Sequence, residues 1–399
     1  MGSDELPIGR RVAQWRTRRR MTQQMLADRL GRSKSWVDKV ERGVRALDKF
    51  SVIREIAEVL RVDPSALVGG DTRPGTVVGV PGVDGVRAAL ARYDMCTAGR
   101  DRRPVVLTDE LSRRVEHAWL TYQHAHYPQL VRLVPGLLGD IRGAHAVGVG
   151  YDVTGLLVQA YRITASVLLK LGEPDVAWLA ADRAMGVAAG APLSMAAASV
   201  SVGQALRAAG RGRLAMVVTT AAAHRIAPAV LHGATPQTLA LGGTLLVEAA
   251  LAAAACGDHR STRELIDRAT EIAVRLDDGQ DHHHVGFGSA SVQVAWVTAA
   301  VGLGDGGEAV AQHEKTVSTD GWQRLPVEHR AAYLVDAARA YLQIGDLPQA
   351  GRALVEADRI APAEVRLRPS VRTVIAEVVR GGPAPVEVAH LAAVVGLIR

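Results

Sequence analysis

The side chains best able to do chemistry are cations, and they are unevenly placed. Residues 1–70 carry 15 Lys/Arg against nine Asp/Glu, while residues 71–399 carry 32 of each, so the whole formal charge of +6 lies in the first seventy. A basic module of this kind meets a polyanion, either nucleic acid or a membrane surface. Other reactive groups lead to less. His282, His283 and His284 follow Asp281 in a loop, but three adjacent residues point in different directions and no spaced partner completes a metal site. Cys96 and Cys256 have neither a CxxC spacing nor an activating motif, which sets aside a disulfide framework and points to a reducing, cytoplasmic compartment. No HExxH, GxSxG, Walker A or strand-borne GxGxxG pattern occurs. The expectation is a protein that is not an enzyme and takes neither metal nor cofactor.

The elements that must position these cations read as helices. With 399 residues, 48% of them apolar, the chain is long enough for two or three domains with a sizeable core. Ile8, Val12 and Trp15 recur at helical spacing and lead into the basic run Arg16–Arg20. Thr22 is a good N-cap for a second helix that buries Met25, Leu26 and Leu30 and ends at Gly31. Ser33 caps a third, with Val37 and Val40 inward and Gly43 at its end. Two short helices joined by a tight Gly-containing turn make a helix-turn-helix. Lys49–Leu60 adds a fourth helix, and Asp63-Pro64 opens a short fifth. Three uncharged stretches, 184–206, 226–247 and 285–304, are rich in Ala, Gly, Ser, Thr and Val, and Pro192, Pro228 and Pro236 interrupt the first two. They suit close helix packing better than a bilayer, so no membrane partner is expected.

The stretch T-Q-x-x-L-A-x-x-L-G at 22–31, followed by S-x-S-x-V at 33–37, E-R-G at 41–43, I-A-E-V-L at 56–60 and D-P-S-A-L at 63–67, resembles the Xre/Cro family of bacterial and phage repressors. The resemblance covers residues 8–69 and implies a lambda-repressor-like domain of five helices that binds double-stranded DNA. It places Gln23 at a phosphate and lays the third helix in the major groove, with Lys34, Ser35, Asp38 and Lys39 on its outer face. Arg42 and Arg45 would hold the backbone, and Arg16 would pair with Glu41 as a structural contact. Trp36 departs from the family's usual small polar residue. It reads equally well as packing or as a thymine-methyl or sugar contact.

Six glycines with Pro74 and Pro81 between 69 and 85 cannot sustain a helix. The domains expected are therefore residues 1–69, a linker at 70–85, and a helical body at 86–399. In the body, Leu334, Ala337, Ala338, Tyr341, Gly345, Ala350, Leu354, Ala357 and Pro362 fall at the offsets of a tetratricopeptide repeat. Weaker copies share the frame, centred on Gly172, Gly210, Gly257 and Gly304, and the segments 111–122 and 127–138 look like a further helix pair. The fold class expected is all-α, a DNA-binding head followed by a tetratricopeptide-like solenoid.

Such solenoids bind ligands on the face lined by the first helix of each pair. The groove positions on these frames are Gln159, Arg162, Ser166, Lys170, Gln204, Arg207, Thr244, Ser291, Thr298, Arg339 and Gln343. Four are cations and none is an anion, which suits a carboxylate or a peptide C-terminus. Head and body together resemble the peptide-responsive quorum-sensing regulators called the RRNPP family. That resemblance implies a homodimer on a palindromic operator, controlled by a peptide or small-molecule effector. Those receptors commonly hold a peptide with asparagines, of which this chain has none. The alternative is a phage-type or antitoxin-like repressor whose body is a scaffold for a partner protein. An effector-sized pocket would favour sensing, and a long open apolar groove would favour the scaffold.

Overall fold

A computed structural model of the chain describes residues 8–45, 47, 50–60, 62, 67, 80–92, 107–148, 151–226, 234–276, 281–382 and 385–397. The described residues are helical or irregular, with no strand among them, so the all-α reading holds. The chain divides into two compact units, Met1–Val77 and Val78–Arg399.

In the first unit, α1 (Ile8–Arg18), α2 (Gln23–Arg29), α3 (Lys34–Glu41) and α4 (Phe50–Leu60) enclose a core of Val12, Leu26, Ala27, Val37, Val40, Ile53, Ile56, Ala57 and Leu60. The caps expected from sequence are formed. Thr22 Oγ1 accepts from the Met25 amide at 3.1 Å, and Ser33 Oγ accepts from the Trp36 amide at 3.2 Å. Gly9 lets α1 lie directly on α3, because a Cβ there would sit 1.9 Å from the Val40 carbonyl oxygen. The fifth helix expected from Asp63 and most of the 70–85 stretch lie outside the described residues, as does Cys96. Leu67 is described, and is buried in the same core.

In the second unit, α5 (Val83–Leu90) begins inside the stretch read as linker. It buries Val83, Val86 and Leu90, and its Ala89 carbonyl accepts from Arg142 at 2.7 Å. Next come α6 (Thr108–Gln123) and α7 (Tyr127–Ala146), the expected upstream pair. The repeat pairs follow: α8 (Tyr151–Lys170) with α9 (Pro174–Val187), α10 (Pro192–Ala208) with α11 (Gly212–Ile226), and α12 (Pro236–Ala255) with α13 (His259–Ala273). After a short 3-10 turn at His282–His284 come α14 (Ser289–Leu303) with α15 (Gly306–Val317), a single-turn α16 (Asp320–Arg324), and α17 (Val327–Ile344) with α18 (Leu347–Ile360). The chain ends in α19 (Pro362–Arg366), α20 (Pro369–Gly381) and α21 (Val386–Val394).

Each of the five pairs turns on its anchoring glycine, at φ +77° (Gly172), +76° (Gly210), +71° (Gly257), +82° (Gly304) and +83° (Gly345), a conformation that side chains with a Cβ rarely adopt. The longer spacing of the central repeats comes from their second connections, 227–235 and 274–288, which run between pairs and not within them. Alanines at the crossings, such as Ala165, Ala177, Ala184, Ala249, Ala269, Ala338 and Ala357, are fully buried and let paired helices approach closely. By length and composition two stretches could span a membrane, 236–255 and 282–303. The first is 78% buried inside the fold, and the second is broken at His283 and His284, both at positive φ.

The solenoid also closes on itself. Tyr127 of α7 donates its hydroxyl to Glu364 of α19, and Lys170 at the end of α8 reaches the same carboxylate at 2.9 Å. Tyr122 of α6 donates to Glu328 of α17 at 3.3 Å, and Lys170 bonds Glu328 as well. Arg368 completes the knot on Glu364, which is wholly buried. Burial drives the Tyr122 and Tyr127 hydroxyls far above the ordinary phenol range, and the neighbouring carboxylates add to the shift. Burial is the largest influence on Glu328 and would raise it, but Lys170, His329 and Arg368 together outweigh burial and hold this carboxyl below its usual value. Groups about 200 residues apart in sequence are thus joined across the middle of the body.

Candidate nucleic-acid interface and effector cavity

The DNA-facing candidates sit on α3 and its flanks. Lys34, Ser35 and Lys39 are exposed, and Val37 and Val40 occupy the opposite face in the core. The amphipathic pattern of this eight-residue helix therefore turns its polar side outward, the requirement for reading base edges. Asp38 is half-buried and pairs with Arg42 at 3.4 Å, so both arrive with part of their charge already matched. Arg16 holds Glu41 through two hydrogen bonds, Nε to Oε1 at 2.6 Å and Nη2 to Oε2 at 3.1 Å, as the resemblance implied. The Gln23 amide nitrogen is drawn into that pair, donating to Glu41 at 2.9 Å, so one of the two N–H groups expected to meet a phosphate is engaged within the domain. Trp36 is half-buried against the core, with the Arg32 and Arg45 guanidiniums 5.7 and 6.0 Å from its ring. Those contacts favour packing, and they place Arg45 beside the exposed face of α3.

In the body, a cavity of about 380 Å³ lies among α6, α8, α10, α12, α14 and α17. Eight of the eleven groove positions line it: Arg162, Ser166, Lys170, Gln204, Arg207, Thr244, Ser291 and Thr298. All eight lie on the first helices of their pairs, α8, α10, α12 and α14. The other three go elsewhere. Gln159 lines a neighbouring cavity and accepts a 2.8 Å bond from Arg162. Gln343 donates to the Val301 carbonyl at 2.8 Å, and Arg339 pairs with Asp336 at 3.2 Å.

The cationic groove expected from sequence is corrected here, because Glu248, Asp281, Glu328 and Asp336 also line the cavity. Glu248 accepts from Gln204 at 2.8 Å and from Arg207 at 3.1 Å, and Asp336 accepts from Thr298 at 3.1 Å. The repeat frame takes one set of offsets on each first helix. It passes over Glu248, one turn beyond Thr244 on the same face, a position that helical periodicity alone would have reached.

The loop that carries Asp281 and the three histidines runs on to Phe287 and forms one wall of the cavity. The His284 ring stacks on Trp119 with centroids 4.8 Å apart, and the Phe287 ring occupies the space beside Gly243, where any Cβ would clash at 2.0 Å. Asp281 ties the loop down, accepting from the Gly286 amide and from Gln123, each at 2.8 Å. Burial keeps His283, His284 and His329 below the ordinary imidazole range, so these rings are held neutral. Among the described residues no group of three or more His, Cys, Asp or Glu could hold a metal ion.

Residues 7–67 match the family model described as "Helix-turn-helix domain". No curated protein matches the chain. Among solved structures, BtubC (BKLC) from P. vanneervenii is 16% identical with a TM-score of 0.39, covering 63% of this chain and 90% of its own. PlcR from Bacillus thuringiensis, in complex with the peptide PapR7 and DNA, is 12% identical with a TM-score of 0.33, covering 78% of this chain and 99% of its own. The architecture is a helix-turn-helix domain followed by an all-α body of successive helix pairs.

Proposed function

We propose that the protein is a sequence-specific transcriptional regulator, acting in the cytoplasm as a homodimer. The head reads the two halves of a palindromic operator, and an effector in the body's cavity sets whether the two heads are spaced to bind. The observation that carries this reading is a cavity of about 380 Å³ ringed by polar side chains from five repeat helices, in the same chain as an exposed cationic α3. A concave site of this size, with polar side chains among its apolar lining, suits a small effector better than a partner protein, which would need a long open apolar groove. The reading assigns no catalytic step to any residue.

Selection of bound duplexes from a random DNA pool with the full-length protein tests it. A palindrome should emerge with half-sites one helical turn apart or a multiple of that, and its affinity should fall steeply with salt. No enrichment, or binding indifferent to salt, would overturn the reading.

A further inference from the structure

The cavity's cations are matched unevenly. Lys170 has Glu328 and Glu364, Arg207 has Glu248, and Arg368 has Glu364. Arg162, only 2% exposed, has no carboxylate within ion-pair distance among the described residues. Its Nη1 donates to Gln159 Oε1 and to the His283 carbonyl, both at 2.8 Å, and its Nε has no partner. The nearest anion it feels is Asp281, whose oxygens are taken by the Gly286 amide and Gln123. Burial lowers the guanidinium to about 10, which leaves it charged at neutral pH.

A buried guanidinium without a counter-ion is costly, and its planar fork fits a carboxylate through two parallel hydrogen bonds. A second observation agrees. The buried side-chain polar atoms left without a partner on residues lining this cavity are Trp119 Nε1, Arg162 Nε and Arg207 Nε, and all three are donors. Trp119 and Arg162 are neighbours, with the guanidinium carbon 5.4 Å from the ring centroid. Val200, Val294, Ala295 and Phe287 supply apolar lining. A lining whose unpartnered atoms are donors, one of them on an uncompensated cation, with apolar side chains in the same cavity, asks for an acceptor-rich anion with a hydrocarbon part. The volume of about 380 Å³ lies near the low end of the range of about 300–1,000 Å³ typical of small-molecule pockets.

We propose that the effector is a small organic acid whose carboxylate is held by Arg162, with its hydrocarbon part against Val200, Val294 and Phe287. This rests on the reading of the cavity as an effector site and adds the ligand's chemical class.

The test offers the full-length protein three pools at millimolar concentration: aliphatic and aromatic monocarboxylic acids of four to ten carbons, their primary amides, and the corresponding amines. Saturation-transfer NMR reads binding, and thermal unfolding reads stabilisation. Members of the acid pool should bind and raise Tm, and the matching amides should bind about ten- to a hundredfold more weakly, as expected for loss of a charge-assisted hydrogen bond. Arg162→Gln should lose the acid response, while Arg162→Lys, which keeps the charge but not the fork, should retain part of it; circular dichroism checks that both variants are folded. The acid-against-amide comparison needs no variant, so a misfolded mutant leaves the test intact. Acids bound no better than amides, or bound equally by folded Arg162→Gln, would overturn the assignment. Amines or amides bound in place of acids would overturn it while leaving an effector cavity standing. Binding from none of the pools, alongside successful operator selection, would remove the cavity's sensing role together with the acid, and would leave DNA reading intact.

Discussion

Arg16 in the head and Arg162 in the body are both drawn into the protein, and they differ in what they meet there. Arg16 is closed by a bidentate pair to Glu41, at 2.6 and 3.1 Å, inside a unit whose α3 cations Lys34 and Lys39 stand exposed. Arg162 is more deeply buried and finds a glutamine and a carbonyl. The other cations lining the cavity, Lys170, Arg207 and Arg368, are paired with carboxylates, and the pairs fasten distant helices together. Net charge therefore says little about where charge is put to use. In the head, α3 turns its cations Lys34 and Lys39 to the exposed face, available to a polyanion, and keeps its acids Asp38 and Glu41 half-buried or buried. In the balanced body, the informative charge is the one the balance leaves out.

The largest way to break the comparison is at the knot. Glu364 is fully buried and serves Tyr127, Lys170 and Arg368 at once. Glu364→Ala would leave Arg368 and the Tyr127 hydroxyl without this acceptor and Lys170 with Glu328 alone, and removing one partner of a buried ion pair costs about 3–5 kcal/mol. Denaturant unfolding should show that loss in the body, with the head's amide-exchange protection unchanged. A loss under about 1 kcal/mol would mean that the closure of α7 and α8 on α19 contributes little to stability.

The corresponding change in the head should be smaller. Glu41→Ala frees Arg16 and Gln23 together, but Arg16 keeps its 2.6 Å bond to the Met21 carbonyl and can reach solvent. A loss of about 1–3 kcal/mol is expected, as for a buried hydrogen-bond partner removed. Hydrogen exchange over residues 8–45 should rise while the body's stays the same. Equal loosening of both units would show that they are energetically coupled.

The sequence revealed these features unequally, for physical reasons. The turn glycines and the Thr22 and Ser33 caps were legible because each answers a local demand, a positive φ or an orphan amide, and the Arg16–Glu41 pair was legible only as what the family resemblance implied. From the glycines came the inward helices, and from those came eight of the cavity residues. The closure was not legible, since nothing near Glu364 announces Tyr127 or Lys170, 237 and 194 residues away. Nor was the wall at 281–287. It has no hydrophobic period, and its structure depends on Trp119, Gly243 and Gln123 waiting to receive it. The acidic half of the cavity was missed because a frame built on fixed offsets cannot register loop residues or neighbouring turns.

Histidine gives the finest test of the contrast. The head has none, since the first histidine in the chain is His117. In the body, burial holds His283, His284, His313 and His329 below their ordinary value of 6.5, so the folded body resists protons that the unfolded chain accepts. Below pH 6.5 the unfolded state binds more protons, and the body's stability should fall as pH drops through the folded-state values. This decline sets in before Glu328, held below 4.5, begins to lose its own contribution at lower pH. Hydrogen exchange compared at pH 7.5 and 5.5, corrected for the intrinsic rate, should show weaker protection in peptides covering 282–344 at the lower pH, with little change in peptides covering 8–45. The sign is the decisive part, because depressed imidazoles can only destabilise as they are protonated. Body protection that holds steady or rises on acidification would mean that Glu116, 3.4 Å from His284, and Glu328 beside His329 outweigh burial, and the neutral wall against Trp119 would have to be replaced by a charged one.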